Sequence, residues 1–170
     1  MELPTIQGES FLIRAWSIDD TESLCENANN INVAKNLIDL FPHPYAMEDS
    51  RFWIKYVKDN ENGLFWAIDV SGKAIGTMSF FDEDKDRNYE VGYWIGERYW
   101  GRGITTNALR LALGYVENLE DAQKITSRVF RNNLSSVRVL EKNGFVYSQT
   151  IKNSAIKNGV LTDEDVYVRH

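Results

Sequence analysis

Hydrophobic and polar positions change period several times along the chain, and each change marks an element. Residues 10–16, SFLIRAW, read as a first strand. Ser17 then opens Ser-Ile-Asp-Asp, a capping-box-like start with Asp20 in place of Glu or Gln, and one or two short helices follow to about Leu40. FPHPY (41–45) ends them, because two prolines exclude helical backbone before them. Over 47–59, Phe52, Trp53, Tyr56 and Val57 recur at helical spacing. The period then shortens. LFWAIDV (64–70), the turn SGK and AIGTMSFF (74–81) predict a hairpin, EDKDR (83–87) the next turn, and NYEVGYWIG (88–96) a third strand. Ile104, Ala108, Leu111, Ala112 and Tyr115 share one face of a helix over 104–117. KITSRVF (124–130) is a strand, and 133–143 is a helix stopped by Gly144. FVYSQTI (145–151) and LTDEDVYV (161–168) are two closing strands. The pattern predicts an α+β fold, a central sheet flanked by helices, with a strand–helix–strand–helix–strand run in its second half.

Length and composition narrow the picture. At 170 residues, with no repeat and no low-complexity linker, the chain is expected to form one domain, 1–170. Hydrophobic residues at 43% and charged residues at 26% are ordinary for a globular protein. A net charge of −6 carries no basic stripe, so no nucleic-acid partner is expected, while an amine-bearing partner suits the acidic balance. No stretch approaches the ~20 apolar residues of a membrane span, and MELPTIQGES is not a signal peptide. The one cysteine, Cys25, reads as a half-buried inert thiol. A cytoplasmic protein is the expectation from these features.

Three segments carry chemistry. Arg98-Tyr99-Trp100-Gly101-Arg102-Gly103 lies between a strand and an amphipathic helix. Glycines there let backbone N–H groups approach a ligand, and the helix start adds unpaired N–H groups, together an anion site suited to a pyrophosphate. A dinucleotide fingerprint would need a small residue where Thr106 stands and an acid ending a following strand, whereas Asp121 precedes its strand. A P-loop would need a lysine that Gly103-Ile104-Thr105 lacks. Upstream, Glu90, Gly92 and Trp94 share one strand face and Val91, Tyr93 and Ile95 the other. Gly92 invites a bulge that would splay the sheet. Glu90, flanked by Tyr89, Tyr93 and Trp94, is a candidate base, or else a solvated glutamate near a strand end. In the third segment Asn132 and Asn133 are helix caps, and the Ser136 hydroxyl lies in the first turn, within reach of a ligand.

Taken together these segments resemble one family. GYWIGERYWGRGITTNAL matches the acetyl-CoA signature of the GNAT acetyltransferases through Arg98, Gly101 and Gly103, and NLSSVRVLEKNGF matches the family's second cofactor-side helix and following strand. EVGYW, N-x-x-S, RAW-x-x-x-D and FPHPY are similar to the branch that contains ribosomal-protein N-terminal acetyltransferases, and the likeness spans roughly residues 10–168. The resemblance implies a mixed, mostly antiparallel seven-stranded sheet, splayed in the middle and flanked by four to five helices. It implies acetyl-CoA as acetyl donor, CoA as product and no metal.

Residue by residue, the resemblance implies that backbone N–H groups from Arg98, Tyr99, Trp100, Gly101, Arg102 and Gly103 into Ile104 and Thr105 hold the pyrophosphate. Tyr93, Trp94 and Ile95 would pair with the pantetheine arm through backbone, and an N–H near Trp94 or Ile95 would stabilise the oxyanion. Asn133 would bond the cofactor, Ser136 would sit by the sulfur, and Glu90 would be the base. Many members carry a tyrosine four residues after the serine position, where this chain has Leu140. His43 and Tyr45 are candidates for the substrate wall, although a histidine between prolines is more often simply exposed. The implied reaction is direct attack of a primary amine on the thioester, with a protein N-terminus favoured and a polyamine or amino sugar as alternatives. A homodimer is admitted. The rival class is a non-catalytic acyl-CoA-binding sensor on the same fold.

Overall fold

A computed structural model describes residues 3–82, 85–119 and 122–170, the side chain of Leu119 excepted. Glu83 and Asp84 of the expected turn, and Asp121, lie outside the described residues. The elements in order are β1 (Ile6–Gln7), β2 (Leu12–Arg14), a 3-10 turn (Ile18–Asp20), α1 (Thr21–Ala28), α2 (Ile31–Ala34) and α3 (Met47–Asp59). They continue with β3 (Gly63–Val70), β4 (Lys73–Phe81), β5 (Asn88–Ile95), a 3-10 turn (Glu97–Tyr99) and α4 (Ile104–Leu119). β6 (Lys124–Phe130), α5 (Leu134–Lys142), β7 (Val146–Lys157) and β8 (Val160–Arg169) complete the chain.

The strands form one eight-stranded sheet in the order β1-β2-β3-β4-β5-β6-β8-β7. Every pairing is antiparallel except β5 with β6. The sheet thus has one strand more than the seven expected. The extra strand is β1, two residues that pair with β2 across a turn closed by Gly8 N–H to Phe11 C=O at 2.8 Å. A two-residue strand is too short to show a period. β2 ends at Arg14 because Ser17 and Asp20 cap the turn that follows: the Asp20 carboxylate accepts from Ser17 N–H at 2.8 Å, and Ser17 Oγ accepts from Asp19 N–H at 3.2 Å. α3 and β6 fall on the predicted boundaries.

Two cores cover the two sheet faces. α4 and α5 lie over one, built on Trp66, Met78, Phe80, Leu109, Leu113, Leu140 and Phe145. Ile104, Ala108 and Ala112 of the face read in the sequence are buried, joined by Leu109, Leu113 and Val116, so Leu111 and Tyr115 sit at the edge of the stripe. α1 and α3 cover the other face, with Leu24, Ile54, Phe65 and Ala67. No described helix is long and apolar enough to cross a membrane.

The β7–β8 hairpin reaches back to the segment after α2. Asp39 accepts from the Asn158 and Gly159 amides, both at 3.0 Å, its own N–H donates to Ile156 C=O at 3.2 Å, and Lys157 Nζ reaches Ala34 C=O at 2.7 Å. Those two amide bonds, Gly159 first, lower the pKa of Asp39. A carboxylate lowered in the fold stabilises it above the unfolded value of ~3.9, and that contribution is lost as pH falls through the folded value. Asn158 and Gly159 amides are therefore expected to lose hydrogen-exchange protection on acidification below about pH 4, and Asp39→Asn should remove this pH dependence.

Candidate active site

The centre of the site is a gap in the sheet. β5 and β6 pair in parallel at Asn88–Lys124, Tyr89–Ile125 and Glu90–Thr126, and then separate, although β5 runs on to Ile95 and β6 to Phe130. Each strand keeps its outer partner: β4 stays in register with β5 to Ile95, and β8 with β6 to Phe130. The splay expected from the sequence is present, but not through a bulge at Gly92. The β4–β5 ladder passes Gly92 without a shift, and a Cβ there would meet nothing within 4 Å.

The gap opens because side chains take the place of the missing ladder. Ser127 Oγ, buried, donates to Val91 C=O at 3.0 Å, and Trp100 Nε1 donates to Ile95 C=O at 3.0 Å. Gly96 N–H bonds to Ile75 C=O, so even-numbered residues of β5 turn their backbone toward β4 and odd-numbered ones toward the gap. That leaves the N–H and C=O of Tyr93 and the N–H of Ile95 facing it. Trp94, whose backbone turns to β4, is thereby excluded as the oxyanion donor.

Beside the gap, the loop before α4 forms a cradle. Gly101 and Gly103 both have φ of +74°, a conformation that a side chain strains. A Cβ on Gly101 would meet nothing within 4 Å, and one on Gly103 only Asn107 Nδ2 at 3.7 Å, so both would project into open space. The first intrahelical bond runs from Asn107 N–H to Gly103 C=O at 3.1 Å, which leaves the amides of Ile104, Thr105 and Thr106 unpaired by the helix. The amides of Tyr99 and Trp100 are already bonded, to Gly96 and Glu97 carbonyls, and so drop out of the expected set. The Arg98 guanidinium pairs with Glu26 at 2.8 Å, and Arg102 lies over the Tyr99 ring at 5.4 Å.

A cleft of about 370 Å³ joins the gap and the cradle. It brings together Tyr93, Trp94, Ile95, Tyr99, Trp100, Gly101, Gly103, Ile104, Thr105, Asn133 and Ser136. Asn133 caps α5, its carboxamide oxygen accepting from Ser136 N–H at 3.3 Å. Tyr93 crosses from β5 to α5, and its phenol oxygen lies 2.9 Å from Ser136 Oγ and 3.2 Å from Ser136 C=O. Burial pushes the Tyr93 phenol above its ordinary pKa. A larger open groove of about 640 Å³, along Phe52, Tyr56, Asn60 and Lys85, contains none of the expected site residues.

Glu90 lies on the opposite sheet face with Gly92 and Trp94. It is half-exposed and paired with Arg128 of β6, whose Nε is 3.2 Å from Glu90 Oε2. The aromatic flank read from neighbouring residues therefore does not enclose it. Tyr45 is buried, its ring centroid 5.2 Å from that of Phe41, which in turn meets Trp94 edge-on at 5.5 Å. His43 is exposed. Cys25 is half-buried, and desolvation raises its thiol pKa, as befits an inert thiol. Among the described residues, no three His, Cys, Asp or Glu side chains are grouped to hold a metal.

Sequence reasoning missed the opposite wall of the cleft, Val33, Asn36 and Leu37, and the α5 cations Arg138 and Lys142. It also missed Arg128 beside Glu90 and the phenol of Tyr93 beside Ser136. Arg138 and Lys142 follow Ser135 at helical spacing, which was a usable signal, but the wall comes from the end of a four-residue helix and the turn after it, which show no period.

Comparison with known proteins agrees with this geometry. The family model described as Acetyltransferase (GNAT) domain matches residues 10–146. The probable N-acetyltransferase YjcK of Bacillus subtilis (strain 168) is 29% identical over 175 residues, covering 95% of this chain and 94% of its own. The solved structure of RimL, a ribosomal L7/L12 alpha-N-protein acetyltransferase, in complex with coenzyme A superposes with a TM-score of 0.87 at 20% identity, over 98% of this chain and 97% of that one. The microcin C7 self-immunity acetyltransferase MccE, with acetyl-CoA and AMP, gives 0.85 at 22% identity, over 95% and 93%. A glycine cradle before α4, a gap between parallel strands and a family match across most of the length lead to one conclusion: the chain belongs to the GNAT acetyltransferase family and is an acetyl-CoA-dependent N-acetyltransferase.

Proposed function

We propose that the whole chain, 1–170, is a single cytoplasmic domain that acetylates a protein N-terminal α-amine by direct attack in a ternary complex. One continuous sheet from Ile6 to Arg169 supports the single domain, and a lone cysteine suits the compartment. The observation that carries the reading is the gap: free backbone groups of Tyr93 and Ile95 lie between the glycine cradle and Ser136 in one cleft. In this reading the Gly101, Arg102, Gly103, Ile104 and Thr105 amides bind the pyrophosphate with the positive end of α4, and Tyr93 backbone pairs with the pantetheine arm. The Asn133 carboxamide adds a hydrogen bond. Bound acetyl-CoA supplies a thioester carbonyl and a thiol leaving group. The Ile95 or Tyr93 N–H donates to the carbonyl oxygen as charge develops there. Ser136 Oγ donates to the sulfur.

The acceptor enters from the face of Glu90, Gly92 and Trp94, with Phe41 and Tyr45 behind Trp94. Glu90 takes the amine proton, directly or through water. It sits half-exposed beside the Arg128 cation. An α-amine titrates near ~8 and is appreciably neutral at pH 7, whereas a lysine-like amine near ~10.4 is not. RimL, the fold relative that acts on a protein α-amine, is in keeping with this choice.

Three measurements test the reading. A panel of N-terminal peptides, polyamines and amino sugars, assayed by mass, should show acetylation of peptide α-amines. Faster turnover of a polyamine or amino sugar would replace the acceptor while keeping the chemistry. Gly103→Val forces a β-branched residue to φ +74°, with strain of about 1–3 kcal/mol, and should weaken acetyl-CoA binding at least about tenfold by calorimetry. Glu90→Gln should keep acetyl-CoA affinity and lower kcat about a hundredfold near neutrality. That loss should shrink above about pH 8, where the α-amine is already neutral.

A further inference from the structure

The phenol of Tyr93 is, among the described residues, the only side-chain group hydrogen-bonded to the Ser136 hydroxyl, and it also reaches the Ser136 carbonyl. We propose that Tyr93 is a positioning residue that, through its 2.9 Å contact with Ser136 Oγ, aims the serine proton at the leaving sulfur. The inference rests on the reading of Ser136 as the residue facing that sulfur.

The geometry argues for it in two steps. A serine hydroxyl on a helix has three staggered positions and tends to bond a carbonyl of its own helix. The phenol instead approaches Ser136 from β5, and either oxygen can donate across the contact. The phenol has one proton and two acceptors on Ser136, Oγ at 2.9 Å and C=O at 3.2 Å. When it donates to the nearer Oγ, it occupies a lone pair there, and the serine proton is left for the cleft that Ser136 lines. Secondly, the same residue carries a backbone N–H into the gap. One side chain on one strand therefore sets the distance between the donor for the carbonyl oxygen and the donor for the sulfur.

Chemistry decides how the phenol acts. Burial holds Tyr93 above its ordinary pKa, so it stays protonated and remains a donor throughout the neutral range. For the same reason it is not the acid that protonates the leaving group. A thiol titrates near ~8.5 and an ordinary phenol near ~10, so proton transfer from this phenol to a thiolate runs uphill. Tyr93 and Ser136 thus stabilise the thiolate by hydrogen bonding, with no net proton transfer.

The test compares Tyr93→Phe, Ser136→Ala and the double variant. Phe keeps the ring that packs between β5 and α5, so melting temperature and acetyl-CoA affinity should hold. Each single variant should lower kcat about three- to tenfold, and the double variant should be no slower than Ser136→Ala alone. A second readout needs no turnover: the thiol of CoA bound to the protein, titrated by thiolate absorbance, should move up by about one pKa unit in each single variant. Wild-type kcat and thiol titration in Tyr93→Phe, with Ser136→Ala impaired, would overturn the role of Tyr93 and leave Ser136 in place. Effects that multiply in the double variant would also overturn it, because the two hydroxyls would then act independently. Wild-type behaviour of Ser136→Ala in both readouts would overturn the reading of Ser136 and the inference with it.

Discussion

Two parallel strands that pair for three residues and then separate set the terms for the rest of the molecule. Backbone N–H and C=O groups inside a sheet must find partners, because an unpaired one away from water is costly. Here Ser127 and Trp100 supply partners to Val91 and Ile95, and what is left unpartnered, around Tyr93, is available to a ligand. The splay is held open from outside: β4 and β8 keep β5 and β6 in strict register, so the strands cannot drift back together without breaking those ladders. α4 and α5 then start at the gap and present a glycine cradle and Ser136 on either side of it.

The far wall depends on contacts instead of on secondary structure. Residues 33–45 have only the end of a four-residue helix, and their place is set by Asp39 on the hairpin tip, by Lys157 on Ala34, and by Phe41 against Tyr45 and Trp94. Between its buried ends, at Val33, Ala34 and Tyr45, the segment is held mainly by exposed hydrogen bonds, which are among the first to open. A wall of this kind can yield to an acceptor without disturbing the cradle, which is fixed by α4 and the β5 ladder.

A buried ion-pair cluster orders the start of the chain. Arg14 bonds Asp20 through both of its terminal nitrogens at 2.8 Å and Asp69 through Nε at 2.7 Å, and the two carboxylates are almost fully buried. This gives the RAW-x-x-x-D segment a structural meaning. Its arginine and its final aspartate, Asp20, close the turn that carries the chain from the sheet into α1, and the opposed charges compensate the desolvation of each other. Glu90 and Arg128 are the half-exposed counterpart on the acceptor face, where water can still reach the carboxylate.

Much of this was legible in the chain. Period-2 and period-3.6 patterns are local, so α3, β6 and the β3–β4 hairpin could be read almost to the residue, and the run from β5 to β7 followed from them. The glycine loop was legible because Gly101 and Gly103 meet a backbone requirement at their own positions. Asn133 and Ser136 were legible because a helix start is a local event. Whatever depends on two distant segments meeting was not. Glu90 read as flanked by aromatics, since neighbours in sequence alternate across a strand, and its true neighbour is Arg128, 38 positions away on the adjoining strand. The gap was attributed to Gly92 because a bulge is a local device that would open a sheet, whereas the ladder passes Gly92 unshifted and a serine on the next strand takes up the Val91 carbonyl. Tyr93 beside Ser136 belongs to the same class. Local backbone chemistry determined the elements and the cradle, and only the packing of strand against strand decided which side chains share the site.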